Sequence, residues 1–143
     1  MKAVDVNLVV YLARSDLPFH LQAVEWFEKR FSTGERIFLF ELVLSSAMRI
    51  LSNRRVFKEP MPSEKVIDFI EALVGQPEVV IVRGGENHWK IFIDLCKKMK
   101  AKGDTIPDLY FAALALEKGL MWYSTDRDFA KIPLFQWQHP FEE

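Results

Sequence analysis

At 143 residues, 50% of them hydrophobic and 27% charged, the chain has the profile of a folded domain and not of a disordered or fibrous protein. A net charge of −1 by itself argues neither for nor against a polyanionic partner. The lone cysteine, Cys96, rules out an internal disulfide, and no apolar run approaches the ~18 residues of a membrane span.

In chain order, "AVDVNLVVYL" (residues 3–12) reads as an apolar, β-branched stretch, with a first strand over residues 2–6. "LPFHLQAVEWFEKRF" (17–31) spaces Leu21, Val24 and Phe27 for a helix, and Pro18 suits its first turn. "RIFLF" (36–40) is a second strand, and "ELVLSSAMRILSNRR" follows it as a helix. A further helix over 61–77 is opened by Pro62 and Ser63 and closed by Gly75 and Pro77. "EVVIV" (78–82) is a third strand, followed by a long helix over 86–103 expected to bury Trp89, Phe92, Leu95, Cys96 and Met99. "IPDLYFAALALEKG" (106–119) is the last helix, stopped by Gly119. "LMWYS" (120–124) is a fourth strand, and "FQW" near the end is a candidate fifth. The first residues, "MKAVDVN", hold an acid where a secretory leader needs an apolar core, so a cytoplasmic location without membrane association is expected.

No repeat, low-complexity tract or linker interrupts the chain, so one domain over 1–143 is expected. Helices alternate with short apolar strands throughout. That pattern predicts an α/β fold, a three-layer α/β/α arrangement around a central parallel sheet of four to five strands. In such sheets ligands bind beyond the carboxyl ends of the strands.

The acids fall at that edge. Asp5 lies near the end of the first strand, Glu41 directly follows the second, Asp108 stands in the first turn after Pro107, and Asp126 and Asp128 follow the fourth strand in "STDRDF". Singly, each has an ordinary reading: Asp5 on a solvated face, Glu41 and Asp108 complementing helix N-termini, and Ser124, Thr125 or Asp126 capping a short helix. Together at one edge they repel, by about 3 kcal/mol for two carboxylates ~5 Å apart at an effective dielectric of ~20. Such a cluster persists when protons or cations neutralise it. Hard oxygens without a paired His or Cys favour Mg²⁺ or Mn²⁺ over Zn²⁺, chemistry suited to phosphodiester displacement. "RGGEN" (83–87) is neither a Walker loop nor a dinucleotide fingerprint, which argues against nucleotide triphosphate chemistry.

The segments "VDVNLVVYLA", "ELVLSSAMRILSNRRVF", "IPDLYFAALALEKG" and "STDRDFAKIP", in this order and spacing, resemble the PIN-domain ribonucleases, and among them the toxins of VapBC-type toxin–antitoxin pairs. The resemblance covers nearly the whole chain. It implies a PIN-like fold and an acidic quartet of Asp5, Glu41, Asp108 and Asp126 serving as catalytic residues and metal ligands. Asn7, Thr125 and Asp128 stand where supporting polar groups occur. It further implies an endoribonuclease dependent on Mg²⁺ (or Mn²⁺) that leaves 5′-phosphate and 3′-hydroxyl ends. Its partners would be the RNA substrate, a cognate antitoxin and a second copy in a homodimer.

Without the five acids the net charge of −1 becomes +4, and Arg49, Arg54 and Arg55, on or after the helix begun by Glu41, are candidates to hold RNA phosphates. A chain with 12 Phe, 4 Trp and 3 Tyr has aromatic surface to spare for a dimer face or an antitoxin groove. Two other readings stay open on the residues alone. One is a non-catalytic RNA- or protein-binding module on the same fold. The other is an aspartate-dependent phosphohydrolase, which "DVN" serves poorly because Asn7 cannot donate a proton as the second acid must.

Overall fold

A computed structural model describes residues 1–143. Its elements are β1 (Lys2–Val4), α1 (Val6–Ala13), α2 (His20–Ser32), β2 (Ile37–Phe40), α3 (Glu41–Leu51), α4 (Ser63–Val74), β3 (Val79–Val82), α5 (His88–Met99), α6 (Thr105–Lys118), β4 (Met121–Tyr123) and β5 (Trp137–Gln138), with a 3₁₀ turn at Arg127–Lys131. The five strands form one sheet in the order β3-β2-β1-β4-β5, and every neighbouring pair is parallel. This is the three-layer α/β/α, PIN-like arrangement expected from the alternation of elements. No helix is long and apolar enough to cross a membrane.

The first segment departs from its expected form. Only Lys2–Val4 is strand; Asp5 is an N-cap, and Val6–Ala13 is helix α1. Its run of Val and Leu has apolar residues on every side, so periodicity could not separate a buried strand from a buried helix. Burial overrides the β-propensity of Val6, Val9 and Val10: α1 packs between α2 and α3, with Leu8 and Val9 fully buried.

The other boundaries shift by a turn or less at most ends. The helix expected over 17–31 begins at His20, its buried face being Ala23, Trp26, Phe27 and Arg30, while Leu21 is exposed. The helix expected over 41–55 ends at Leu51, and its last residues form turns. In α5, Phe92 and Leu95 are buried as expected, but Trp89 is exposed, lying in the first turn with its ring 5.4 Å from that of Phe92. Gly119 ends α6 in a left-handed conformation (φ 66°), which a glycine adopts without a Cβ penalty.

The core is organised around Trp122 of β4. Its ring stacks on Phe40 at 5.3 Å and on Phe111 at 5.6 Å, with Phe129 edge-on at 5.7 Å. Truncating so large a buried side chain costs about 3–5 kcal/mol. Each of these partners lies near an acid in sequence: Phe40 precedes Glu41, Phe129 follows Asp128, and Phe111 is three residues after Asp108 in α6. The apolar core therefore fixes the backbone from which the acids project.

Candidate active site

Asp5 stands immediately beyond β1, where its backbone N–H donates to the Tyr123 carbonyl at the end of β4 (2.9 Å). Its carboxylate is 8% exposed and accepts two short hydrogen bonds, from the Val6 N–H at 2.6 Å and the Ser124 hydroxyl at 2.6 Å. Burial raises its pKa to about 6; the bonds from Ser124 and Val6 pull it down, and the charge of Asp126 pushes it up.

Asp108, in the first turn of α6, is half-buried. Burial and then the charges of Asp5, Asp126, Asp128 and Asp104 raise its pKa to about 7. Two carboxyls with ordinary sequence surroundings are thus raised toward neutrality, chiefly because the fold buries them and secondarily because it sets other carboxylates nearby.

Asp126 lies past the end of β4 and caps the 3₁₀ turn, its Oδ1 accepting from the Asp128 N–H at 2.9 Å. Asp128 turns outward to Lys131 (3.1 Å). Beneath them, the fully buried Ser124 is a hub: besides donating to Asp5, its hydroxyl oxygen accepts from the Asp126 N–H at 3.0 Å and the Asn7 side-chain amide at 3.2 Å. Asn7 also donates to Thr125 Oγ1 at 2.9 Å, and the Tyr11 hydroxyl lies 3.4 Å from the same oxygen.

Asp5, Asn7, Asp108 and Asp126 open into one groove of about 680 Å³, walled on its apolar side by Leu17, Ile50, Val56 and Phe57 and edged by Arg49. Arg54 and Arg55 lie in the exposed turn after α3, outside that groove and without an acidic partner. Arg14 holds the turn in place. Its guanidinium is paired with Asp16 (2.7 and 2.9 Å), stacks 3.9 Å over the Phe57 ring and donates to the Glu59 carbonyl at 2.8 Å.

Glu41 follows β2 directly, as expected, but its carboxylate does not join the aspartates. It accepts from the Arg83 guanidinium at 2.8 Å on the β3 side, with both side chains largely exposed. In this arrangement no three of the acids approach closely enough to enclose a cation. The three aspartates nonetheless present hard oxygen donors around a shared excess of negative charge, and Asn7, which lines the groove, keeps its Oδ1 buried without a partner. That donor set suits Mg²⁺ or Mn²⁺.

From the sequence Ser124 is only a candidate helix cap, and Tyr11, Arg14 and Arg83 are not singled out. Ser124 had a local signal, since it adjoins Thr125 at a strand end. The pairing of Arg83 with Glu41 spans 42 positions and has none.

The profile of the PIN domain matches residues 2–134, and the chain belongs to that family, in its VapC branch. It is similar to the protein named ribonuclease VapC43 of Mycobacterium tuberculosis, with 37% identity over 142 residues that cover 99% of this chain and 97% of the relative. Its fold is shared with VapBC2 of Rickettsia felis, solved bound to a promoter DNA fragment (TM-score 0.71, 14% identity, 96% of each chain). It is also shared with VapC20 of Mycobacterium tuberculosis, described as a Sarcin-Ricin loop cleaving toxin (TM-score 0.67, 14% identity, 93% of this chain and 95% of that one).

Proposed function

We propose that the protein is a single-domain endoribonuclease, the toxin of a VapBC-type pair, hydrolysing RNA phosphodiester bonds with the help of a divalent cation. The observation that carries this reading is the convergence of Asp5, Asp108 and Asp126 on one groove, with the carboxyls of Asp5 and Asp108 raised to about 6 and about 7. The names of its VapC relatives support RNA as the substrate.

Asp5, Asp108 and Asp126, with Glu41 as a fourth, would hold Mg²⁺ (or Mn²⁺). When bound, such an ion offsets the crowded negative charge and stabilises charge developing on a phosphodiester. Ser124 and Val6 fix the Asp5 carboxylate through their hydrogen bonds, and Asn7 of α1 braces the end of β4 by donating to both Ser124 and Thr125. Asp128, turned toward Lys131, adds field more than a contact. Arg49, at the groove edge, would hold a phosphate, with Arg54 and Arg55, in the exposed turn after α3, as further candidates. A cognate antitoxin and a second copy of the chain are the proposed protein partners, and the cytoplasm the proposed location.

The test is cleavage of RNA by the purified protein with Mg²⁺ or Mn²⁺, its loss in EDTA, and its loss in Asp108→Asn. RNA binding without cleavage under all metal conditions would assign a binding module instead. Cleavage that survives both EDTA and Asp108→Asn would remove the acids from the chemistry.

A further inference from the structure

The segment Arg83–Asn87, between β3 and α5, is held more firmly than an exposed loop requires. Glu117 of α6 reaches up to it, its carboxylate accepting from the Gly85 N–H at 2.7 Å and the Asn87 N–H at 2.9 Å. The two bonds hold Glu117 below the usual pKa of a glutamate, against the cost of burial. Gly85 admits this contact because a Cβ there would come within 2.8 Å of Glu117 Oε2. A Cβ on Gly84 would come within 2.4 Å of His88 Nδ1, and the buried His88 ring is itself bonded through Nε2 to the Tyr110 carbonyl of α6 at 2.9 Å. Both glycines allow this close approach, and the bonds of Glu117 and His88 tie the loop to the helix that carries Asp108.

From this bracket Arg83 extends to Glu41, which it pairs at 2.8 Å. Glu41 then lies outside the groove of the aspartates, although its neighbour Leu42 lines that groove. Glu41 is also absent from the charges that raise Asp5 and Asp108.

We infer that Arg83 is a positioning residue: it draws the Glu41 carboxylate away from Asp5, Asp108 and Asp126, and a divalent cation entering the groove must compete with it for Glu41. The inference rests on the metal-dependent reading above. The competition is mild, because both side chains of the pair are exposed and such pairs are weak and screened by salt. The bracket of Glu117, Gly84 and Gly85 makes the arrangement specific to this loop, where a free surface arginine would sample many partners.

The test is titration of the metal-free protein with Mn²⁺ by calorimetry, on wild type, Arg83→Gln, Arg83→Lys, Glu41→Gln, Asp108→Asn and the double variant Arg83→Gln/Glu41→Gln. Arg83→Gln should bind Mn²⁺ about two- to fivefold more tightly, a ceiling set by the weakness of exposed ion pairs. Arg83→Lys should return most of the way to wild type. In the Glu41→Gln background Arg83→Gln should add nothing, and the wild-type-to-Arg83→Gln ratio should shrink as salt rises. A merely structural role for Arg83 would not produce a gain that vanishes with Glu41. Unchanged or weaker binding in Arg83→Gln, where Asp108→Asn does weaken binding, overturns the inference alone. No Mn²⁺ binding by wild type, or none lost in Asp108→Asn, overturns it together with the metal-dependent reading.

Discussion

Ser124, itself fully buried, donates its hydroxyl to Asp5 across 119 positions of sequence, at 2.6 Å. This bond joins the end of β4 to the end of β1, and it opposes the burial that drives the Asp5 pKa upward. Ser124→Ala leaves a buried carboxylate with one donor fewer. We expect a loss of about 1–3 kcal/mol in urea melts at mildly alkaline pH, where Asp5 is charged, and reduced RNA cleavage. Wild-type stability in this variant would show that Asp5 is held by its cap bond alone.

The raised carboxyls make the metal-free protein weaker as pH rises. In the unfolded chain Asp5 and Asp108 titrate near 3.8, but in the folded chain near about 6 and about 7, so the folded state binds these protons more tightly. Their contribution is complete below the unfolded pKa and is lost as pH climbs through the folded values. Asp108→Asn should therefore exceed wild type in EDTA by about 1 kcal/mol at about pH 8, a figure discounted for the partial exposure of Asp108, and by little at about pH 5. Thermal melts at the two pH values decide this. An equal difference at both would mean that Asp108 is not a shifted acid.

Arg49 edges the groove, whereas Arg54 and Arg55 lie beyond it. Arg49→Ala should weaken RNA binding and lower the log–log salt slope by ~0.7, one single-strand phosphate contact. Arg54→Ala and Arg55→Ala, measured the same way, should each do less. A larger loss at Arg54 or Arg55 would place the RNA path along the turn and not over the groove mouth.

Arg14 clamps that turn through Phe57 and Glu59 while Asp16 holds its guanidinium. Arg14→Ala removes a stacked cation and a charge-assisted bond to the Glu59 carbonyl, with an expected cost of about 1–2 kcal/mol. The local signature is faster proteolytic nicking between residues 52 and 61, read by mass spectrometry. Unchanged nicking would mean that Phe57, partly buried against the core, holds the turn unaided.

Much of this architecture was legible in the sequence because its causes are local. Short apolar runs bounded by Gly, Pro and helix caps place strands and helices, and a parallel sheet follows from their alternation. Asp5, Glu41, Asp108 and Asp126 each adjoin a strand end or helix start, so their arrival at one sheet edge was visible without any contact being known. Where tertiary packing decides, the sequence was silent or misleading. Val6–Ala13 is helical because α2 and α3 enclose it, a burial that its uniformly apolar sequence cannot distinguish from that of a strand. Trp89 shares the Phe92 side of α5, with the two rings 5.4 Å apart, yet it is exposed in the helix's first turn, which periodicity alone does not reveal. Ser124 becomes the hub of the acids only when β4 pairs beside β1. Glu41 pairs with Arg83, a residue 42 positions away on a loop that Glu117 of α6 holds by two backbone bonds. The position of a carboxylate along the chain is a local property; which charge it faces depends on long-range packing, and only the folded molecule contains that.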